Sequence, residues 1–246
     1  MDIRLDNRVA MVTGGAGGFG RAFSTALAES RATVAVVDIN RGQAEAVAAD
    51  LAARGFNATA FPGDVTSSGD VRRLVAEVVA HCGGIDILVN LAGDNTKHEV
   101  ADLPEAEWDR IMDLNLKSMF LCCQAALPQL IARGGGRIIN MASHIATSGR
   151  PGQAHYAATK AGIIALTTSL AQEVARHRIT VNGLAPGGTE TPMWARSMTA
   201  AGMEERRRSG RIGQPEDLAP FVVFLCSEAA YHLTGHIIAR DHFMPR

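Results

Sequence analysis

Residues 9–20 read V-A-M-V-T-G-G-A-G-G-F-G, and Arg21 to Ser30 follows with helical composition and spacing. A short apolar run, a glycine loop and a helix in succession predict a strand-turn-helix unit whose turn faces a phosphate. Gly14, Gly18 and Gly20 allow a tight turn and a close backbone approach to a pyrophosphate. The helix beyond directs its N-terminal amides and positive dipole end at that charge. Many loops are glycine-rich only in order to turn, so it is the flanking strand and helix that give this one its meaning.

Working outward, Thr33 to Val37 predicts a second strand ending at Asp38, about twenty residues beyond the loop. A carboxylate there can accept hydrogen bonds from both hydroxyls of an adenosine ribose and repels a 2′-phosphate, which favours NAD over NADP. The same aspartate also reads as an N-cap for a helix over Asn40 to Arg54. Ala58 to Phe61 predicts a third strand, followed by Asp64-Val65 at its carboxyl end and an amphipathic helix from about Gly69 to His81. Ile85 to Leu91 predicts a fourth strand, closing in N-L-A-G at 90–93. Small residues there leave room for a flat ring or a ribose, while Asn90 also suits a plain turn.

Pro104 to Ile131 predicts a long helix, apolar on nearly every side from Ile111 to Leu127. Such a helix must be covered twice, by the sheet and by a second surface. Asn115 interrupts it and needs partners, either a structural water or a reacting group. Gly136 to Ser143 and Ile179 to Leu184 predict the fifth and sixth strands, with Pro186-Gly187-Gly188 ending the latter. From Thr191 to about Arg211 the chain is apolar but poorly periodic, with Met193, Trp194, Met198 and Met203; it reads as a lid over a small organic ligand or as a surface loop. Pro215-Glu216-Asp217 begins a last helix with Phe221 to Cys226 as its apolar core, and His236 to Ala239 supplies a final strand. Strands alternating with helices throughout predict a parallel, doubly wound sheet.

The segment Y-A-A-T-K at 156–160 lies on the predicted helix from Ala154 to Arg176 and places a tyrosine and a lysine on one face. Poising a phenol near pH 7 requires about 4 kcal/mol of preference for the phenolate. An ammonium about 4 Å away at an effective dielectric of about 20 supplies a similar amount. The spacing can also arise by accident, with one residue in the core and one in solvent. Ser143 ends a strand thirteen residues earlier, and Gly149, Pro151 and Gly152 can return the chain so that Ser143 and Tyr156 meet.

A chain of 246 residues with 47% hydrophobic content fits a single domain. Its 24 Lys and Arg nearly balance 25 Asp and Glu, which gives no support to a nucleic-acid or anionic-membrane partner. The basic cluster Arg206-Arg207-Arg208 reads as a solvated face or as steering for an anionic substrate. Cys82, Cys122, Cys123 and Cys226 have neither metal-ligand spacing nor disulfide density, so no metal is expected and the thiols read as reduced packing residues. With no basic leader and no apolar run near 18 residues, the reading is a cytoplasmic protein.

At this point the chain resembles the short-chain dehydrogenase/reductase family from about Asn7 to Asp241. The resemblance is carried by T-G-G-A-G-G-F-G at 13–20, Asp64, N-L-A-G at 90–93, Asn115, Ser143, Y-A-A-T-K at 156–160, P-G at 186–187 and T-P-M at 191–193. It implies a Rossmann-type sheet of about seven strands with helices on both faces. It also implies Tyr156 as acid/base, Lys160 lowering its pKa and binding the nicotinamide ribose, Ser143 holding the substrate oxygen and Asn115 supporting a relay water. Gly14, Gly18, Phe19, Gly20, Asp38, Asp64, Val65, Asn90, Ala92, Gly93, Pro186, Gly187, Thr189 and Thr191, with Tyr156 and Lys160, would contact the dinucleotide. Leu91 stands where the family more usually has Asn, and Asp241-His242-Phe243 stands where it often has Asp-Gly-Gly.

The implied reaction is reversible hydride transfer between NAD(H) and a secondary alcohol or ketone. His144 and His155 flank the central residues and read as peripheral, with contact to substrate as the other option. Two rival readings are a dinucleotide-binding regulatory or assembly subunit and a methyltransferase with a similar glycine loop. The intact Ser, Tyr, Lys and Asn set favours neither. Two apolar helices, and the family's habit, imply a homo-oligomer, dimer or tetramer.

Overall fold

The computed structural model describes residues 3–196, 199–208 and 212–240. In chain order it forms β1 (Val9–Thr13), α1 (Gly18–Glu29), β2 (Thr33–Asp38), α2 (Arg41–Ala53), β3 (Ala58–Pro62), α3 (Ser68–Cys82) and β4 (Ile87–Asn90). There follow α4 (Glu105–Met112), a π-helical turn (Asp113–Lys117), α5 (Ser118–Ala132), β5 (Gly136–Met141), α6 (Ile145–Ser148), α7 (Ala154–Val174) and β6 (Ile179–Pro186). The remainder is α8 (Pro192–Arg196), α9 (Ala200–Arg208), α10 (Ala219–Cys226) and β7 (Ile237–Arg240).

The seven strands form one sheet in the order β3-β2-β1-β4-β5-β6-β7, every pair parallel. This is the doubly wound sheet that the alternation predicts. Successive residues of a strand point to opposite faces, and β1 divides its apolar side chains accordingly. Val9 and Met11 join a core with α3, α5 and α7, whereas Ala10 and Val12 join a core with α1, α2 and α10. Burial on both faces explains why the run lacks polar alternation.

The amino ends of the central strands are held by Asp86, whose side chain is 2% exposed. It accepts from the Val9 amide at 2.9 Å, from Arg133 at 3.0 and 3.1 Å and from Arg8 at 3.4 Å. The carboxyl ends of β1 and β4 lie at the point where strand order reverses, and the crevice there is where such sheets bind ligands.

Several local expectations change. The long helix over 104–131 is two helices joined by the π turn that contains Asn115. The N-cap of α2 is Asn40, which accepts from the Gln43 amide at 3.1 Å, so Asp38 is free of that duty. The segment from Thr191 is not irregular: Thr191 caps α8 by accepting from the Trp194 amide, and Thr199 accepts from the Gly202 amide at the start of α9. Pro215–Asp217 is a 3-10 turn ahead of α10, closed by reciprocal Gln214 and Asp217 contacts. Phe221, assigned to the core, is 45% exposed. Met198, Arg211 and Asp241-His242-Phe243 lie outside the described residues. No helix among the described residues is long and apolar enough to cross a membrane.

Candidate active site

A cleft of about 840 Å³ opens over the crevice. The glycine loop, Asp38, Gly63 to Val65 and Leu91 to Gly93 line one end, while Ser143, Tyr156, Lys160 and the segment from Pro186 to Arg196 line the other. Gly14 has φ +64°, and a Cβ added to it would lie 2.8 Å from the Ala92 amide nitrogen. A Cβ at Gly20 would lie 2.1 Å from the Gly14 carbonyl, so the loop admits no side chain at either place. Helix α1 begins without a side-chain cap or an acidic residue in its first turn. Its leading amides therefore retain capacity for an anionic ligand.

Asp38 accepts from the Ala16 amide at 3.0 Å through one oxygen and from the Asn40 amide at 3.0 Å through the other. Carboxylate oxygens have two acceptor sites each, so Asp38 can still receive ribose hydroxyls. Asp64 accepts from the Thr66 amide and hydroxyl at 2.8 and 2.7 Å, which fixes the turn after β3. Glycines that a Cβ would crowd, an uncapped helix start and an acid beyond β2 together fit an adenine dinucleotide. Exposed Ile39 and Gln43 also line this end, a contribution that sequence reading missed although both lie next to or near Asp38.

At the other end, Ser143 and Tyr156 line the cleft together, and Ser143 acts on the Tyr156 phenol. Ser143 Oγ also accepts from the Ile145 amide at 3.3 Å, held by the turn into α6. Lys160 is 5% exposed, donates to the Met141 carbonyl at 2.7 Å and stands 5.5 Å from the Tyr156 ring centre. The pair thus meets as expected, but its electrostatics differ from the expectation. Burial pushes the Tyr156 phenol up to about 12, Ser143 pulls against it and the Asp94 charge adds to the rise. Burial also lowers Lys160 to about 8. Desolvation is the largest cause for both groups, since burial penalises the charged form of each.

Three residues sit elsewhere than expected. Asn90 is buried behind the cleft and donates to Asn140 Oδ1 at 3.0 Å and Cys123 Sγ at 3.4 Å, joining β4 to β5 and α5 rather than lining the ligand space. Asn115 is fully buried, and its amide accepts from the Asp94 amide at 2.8 Å while donating to the Asp94 carbonyl at 2.9 Å and Thr159 at 3.2 Å. Its partners are protein atoms, so the side chain clamps the loop after β4 to α7; a water or reacting group is not needed to satisfy it. His155 is not peripheral: it is fully buried, bonded to Thr96 at 3.0 Å, and Thr96 donates to Glu107 at 2.6 Å. His144 does line the cleft.

Asp94, Arg150, Trp194 and Arg196 are lining residues that pattern reading did not single out as contacts. Asp94 directly follows the N-L-A-G segment, the one signal by which it could have been found. Pro186, Gly187, Thr189 and Thr191 line the cleft, and a Cβ on Gly18 would approach Thr191 to 3.1 Å.

The family profile described as short chain dehydrogenase matches residues 8–201. The chain is 39% identical over 237 residues to a 3-oxoacyl-[acyl-carrier-protein] reductase FabG of Staphylococcus aureus, covering 93% of this chain and 94% of that one. It is 34% identical over 241 residues to the reductase of the same name from Thermotoga maritima, covering 97% and 98%. A crystal structure titled as a putative short-chain alcohol dehydrogenase from Sinorhizobium meliloti superposes with a TM-score of 0.92 at 36% identity, covering 97% of this chain and 96% of that one. With profile, relatives and fold in agreement with the glycine loop and the Ser143, Tyr156 and Lys160 cluster, the chain belongs to the short-chain dehydrogenase family of oxidoreductases.

Proposed function

We propose that the protein is an NAD(H)-dependent oxidoreductase acting on a secondary alcohol or its ketone. The observation that carries this reading is the convergence of Ser143, Tyr156 and Lys160 on the same cleft as the glycine loop. The dinucleotide supplies the hydride acceptor in oxidation and the donor in reduction. Tyr156 gives its proton to the substrate oxygen in reduction and takes it back in oxidation. The rise in the phenol pKa favours the proton-bearing form of Tyr156, the form that reduction requires. Ser143 holds the oxygen on which charge changes, a contact that accelerates the reaction only if it strengthens in the transition state. Lys160 has two ammonium donors beyond the one given to Met141, suited to a ribose.

Asp38 supports NAD over NADP, since a ribose 2′-phosphate would face its carboxylate. The relatives' name, a reductase of 3-oxoacyl groups, supports a ketone as the group reduced. We assign the whole chain to one domain, with residues 191–211 as a lid, in a cytoplasmic homo-oligomer. The test is NADH and NADPH consumption across a ketone panel, with Tyr156→Phe alongside wild type. NADH is preferred, and the variant loses at least a hundredfold in kcat while NADH binding stays within a few-fold. A variant that turns over normally refutes the assignment.

A further inference from the structure

We propose that the substrate carries an anionic group, a carboxylate or a phosphate, which Arg150 and Arg196 hold at the mouth of the cleft. The proposal rests on the hydride-transfer reading above and names the substrate class of that site.

Arg150 lies between α6 and α7, is exposed and lines the cleft, and among the described residues its guanidinium has no hydrogen-bond or ion-pair partner. Arg196 ends α8 with its side chain 69% exposed, and it donates to Asp94 Oδ1 at 3.0 Å. The other Asp94 oxygen accepts from Arg110 at 3.1 Å, and Arg110 is also bound to Glu107 at 2.8 and 2.9 Å. Among the described residues that line this end, the Asp94 carboxylate stands against Arg150, Arg196 and the Lys160 ammonium, so the substrate end of the cleft has uncompensated positive charge. Asp94 is near enough to Tyr156 for its charge to act on the phenol. The Asp94–Arg196 pair and Tyr156 line one cleft, so a single bound molecule can span them. A guanidinium has five donors in a planar fork, so one bond to Asp94 leaves Arg196 able to take a second anion. Ile145, Met193 and Trp194 line the same end and suit a short apolar body between the reacting carbon and the charged group.

Asp94 then acts as an internal competitor for Arg196, which separates this proposal from a purely structural latch. Loss of a latch weakens every ligand, whereas loss of a competitor strengthens anions.

The experiment titrates the NADH-saturated protein with acetoacetate, its neutral methyl ester and N-acetylcysteamine thioester, and dihydroxyacetone phosphate, and measures turnover of each. Wild type, Arg150→Gln, Arg196→Gln and Asp94→Asn are compared after circular dichroism shows that each is folded. We expect at least tenfold tighter binding of an anionic ketone than of the neutral esters. That ratio should fall toward one in either arginine variant and rise several-fold in Asp94→Asn. Preference for the phosphate over acetoacetate, with the same losses, supports the proposal with phosphate as the group. Equal binding of acids and esters, or equal loss of both in the arginine variants, overturns it. Turnover of neutral ketones without anionic preference refutes this inference alone, whereas failure of every ketone to oxidise NADH refutes the underlying reading as well.

Discussion

Lys160 occupies a position where burial works against its charge. Its pKa falls from 10.5 to about 8 in the folded chain. Between those values the unfolded chain keeps a proton that the folded lysine has released, so stability rises with pH across that window. Below pH 8 the folded protein bears the cost of a buried ammonium, offset in part by the Met141 carbonyl. Lys160→Met should therefore melt roughly 5 °C higher at pH 7, with the gap to wild type closing as pH rises from 8 to 10.5. Turnover should fall at least a hundredfold. Calorimetry across pH checks the first outcome, and a melting temperature lower than wild type at pH 7 would contradict it. The chemistry of this site was readable because Gly14, Asp38, Ser143, Tyr156 and Lys160 combine residue type with spacing to neighbouring elements. The roles of Asn90, Asn115 and His155 were not, since their partners are Asn140, Thr159 and Thr96, far away in sequence. Nothing local to an asparagine tells whether it meets a ligand or another strand.

The helices α8 and α9 depend on how their base is closed. Glu190 accepts from Arg207, and Gln214 donates to its second oxygen at 3.0 Å. The Glu190 amide donates to the Gly213 carbonyl at 2.9 Å, and the Gly213 amide to that of Gly188 at 3.0 Å. These bonds draw the ends of the segment together, and Arg207 and Gln214 hold the Glu190 carboxyl below the usual range. Removing the carboxylate in Glu190→Ala loosens the base by about 1 kcal/mol, the worth of a partly exposed charged hydrogen bond. Cleavage within 192–208 by dilute protease should accelerate about fivefold, because it follows the population of the open form. Limited proteolysis with mass-spectrometric mapping measures this, and unchanged cleavage would contradict the role assigned to Glu190. Long elements were legible from their apolar periods. Helices of 5 and 9 residues are too short for a period to emerge, and their threonine caps become visible only in the folded chain. The π turn was invisible for a related reason, since one extra residue barely disturbs a pattern that is apolar all round.

At the scale of the molecule, the surface of α4 and α5 is incompletely covered. Trp108, Phe120 and Ile131 are 38%, 45% and 41% exposed, although α5 packs on the sheet and on α3. Burying what remains exposed of each such side chain gains roughly 1 kcal/mol, which favours self-association through this surface. Light scattering at micromolar concentration should report a dimer or larger species, and Phe120→Asp should shift it toward the monomer without loss of circular dichroism. A wild-type monomer would contradict the expectation. Phe221 and Tyr231, 45% and 38% exposed near α10, offer the second surface that a tetramer requires. The parallel, doubly wound sheet followed from alternation of elements, whereas its strand order and the assembly depend on packing, which only the folded structure displays.

The Asp86 cluster ties Val9, Arg8 and Arg133 together at the amino ends of the strands, while every group assigned to chemistry or selection lies at the carboxyl ends. What keeps the fold together and what chooses the ligand are thus written in separate parts of the chain. Such a division makes the protein evolvable: Arg150, Asp94 and the α8 segment can exchange residues without touching the anchor that maintains the sheet. A new preference can arise by drift in three short stretches while the hydride-transfer apparatus is inherited intact.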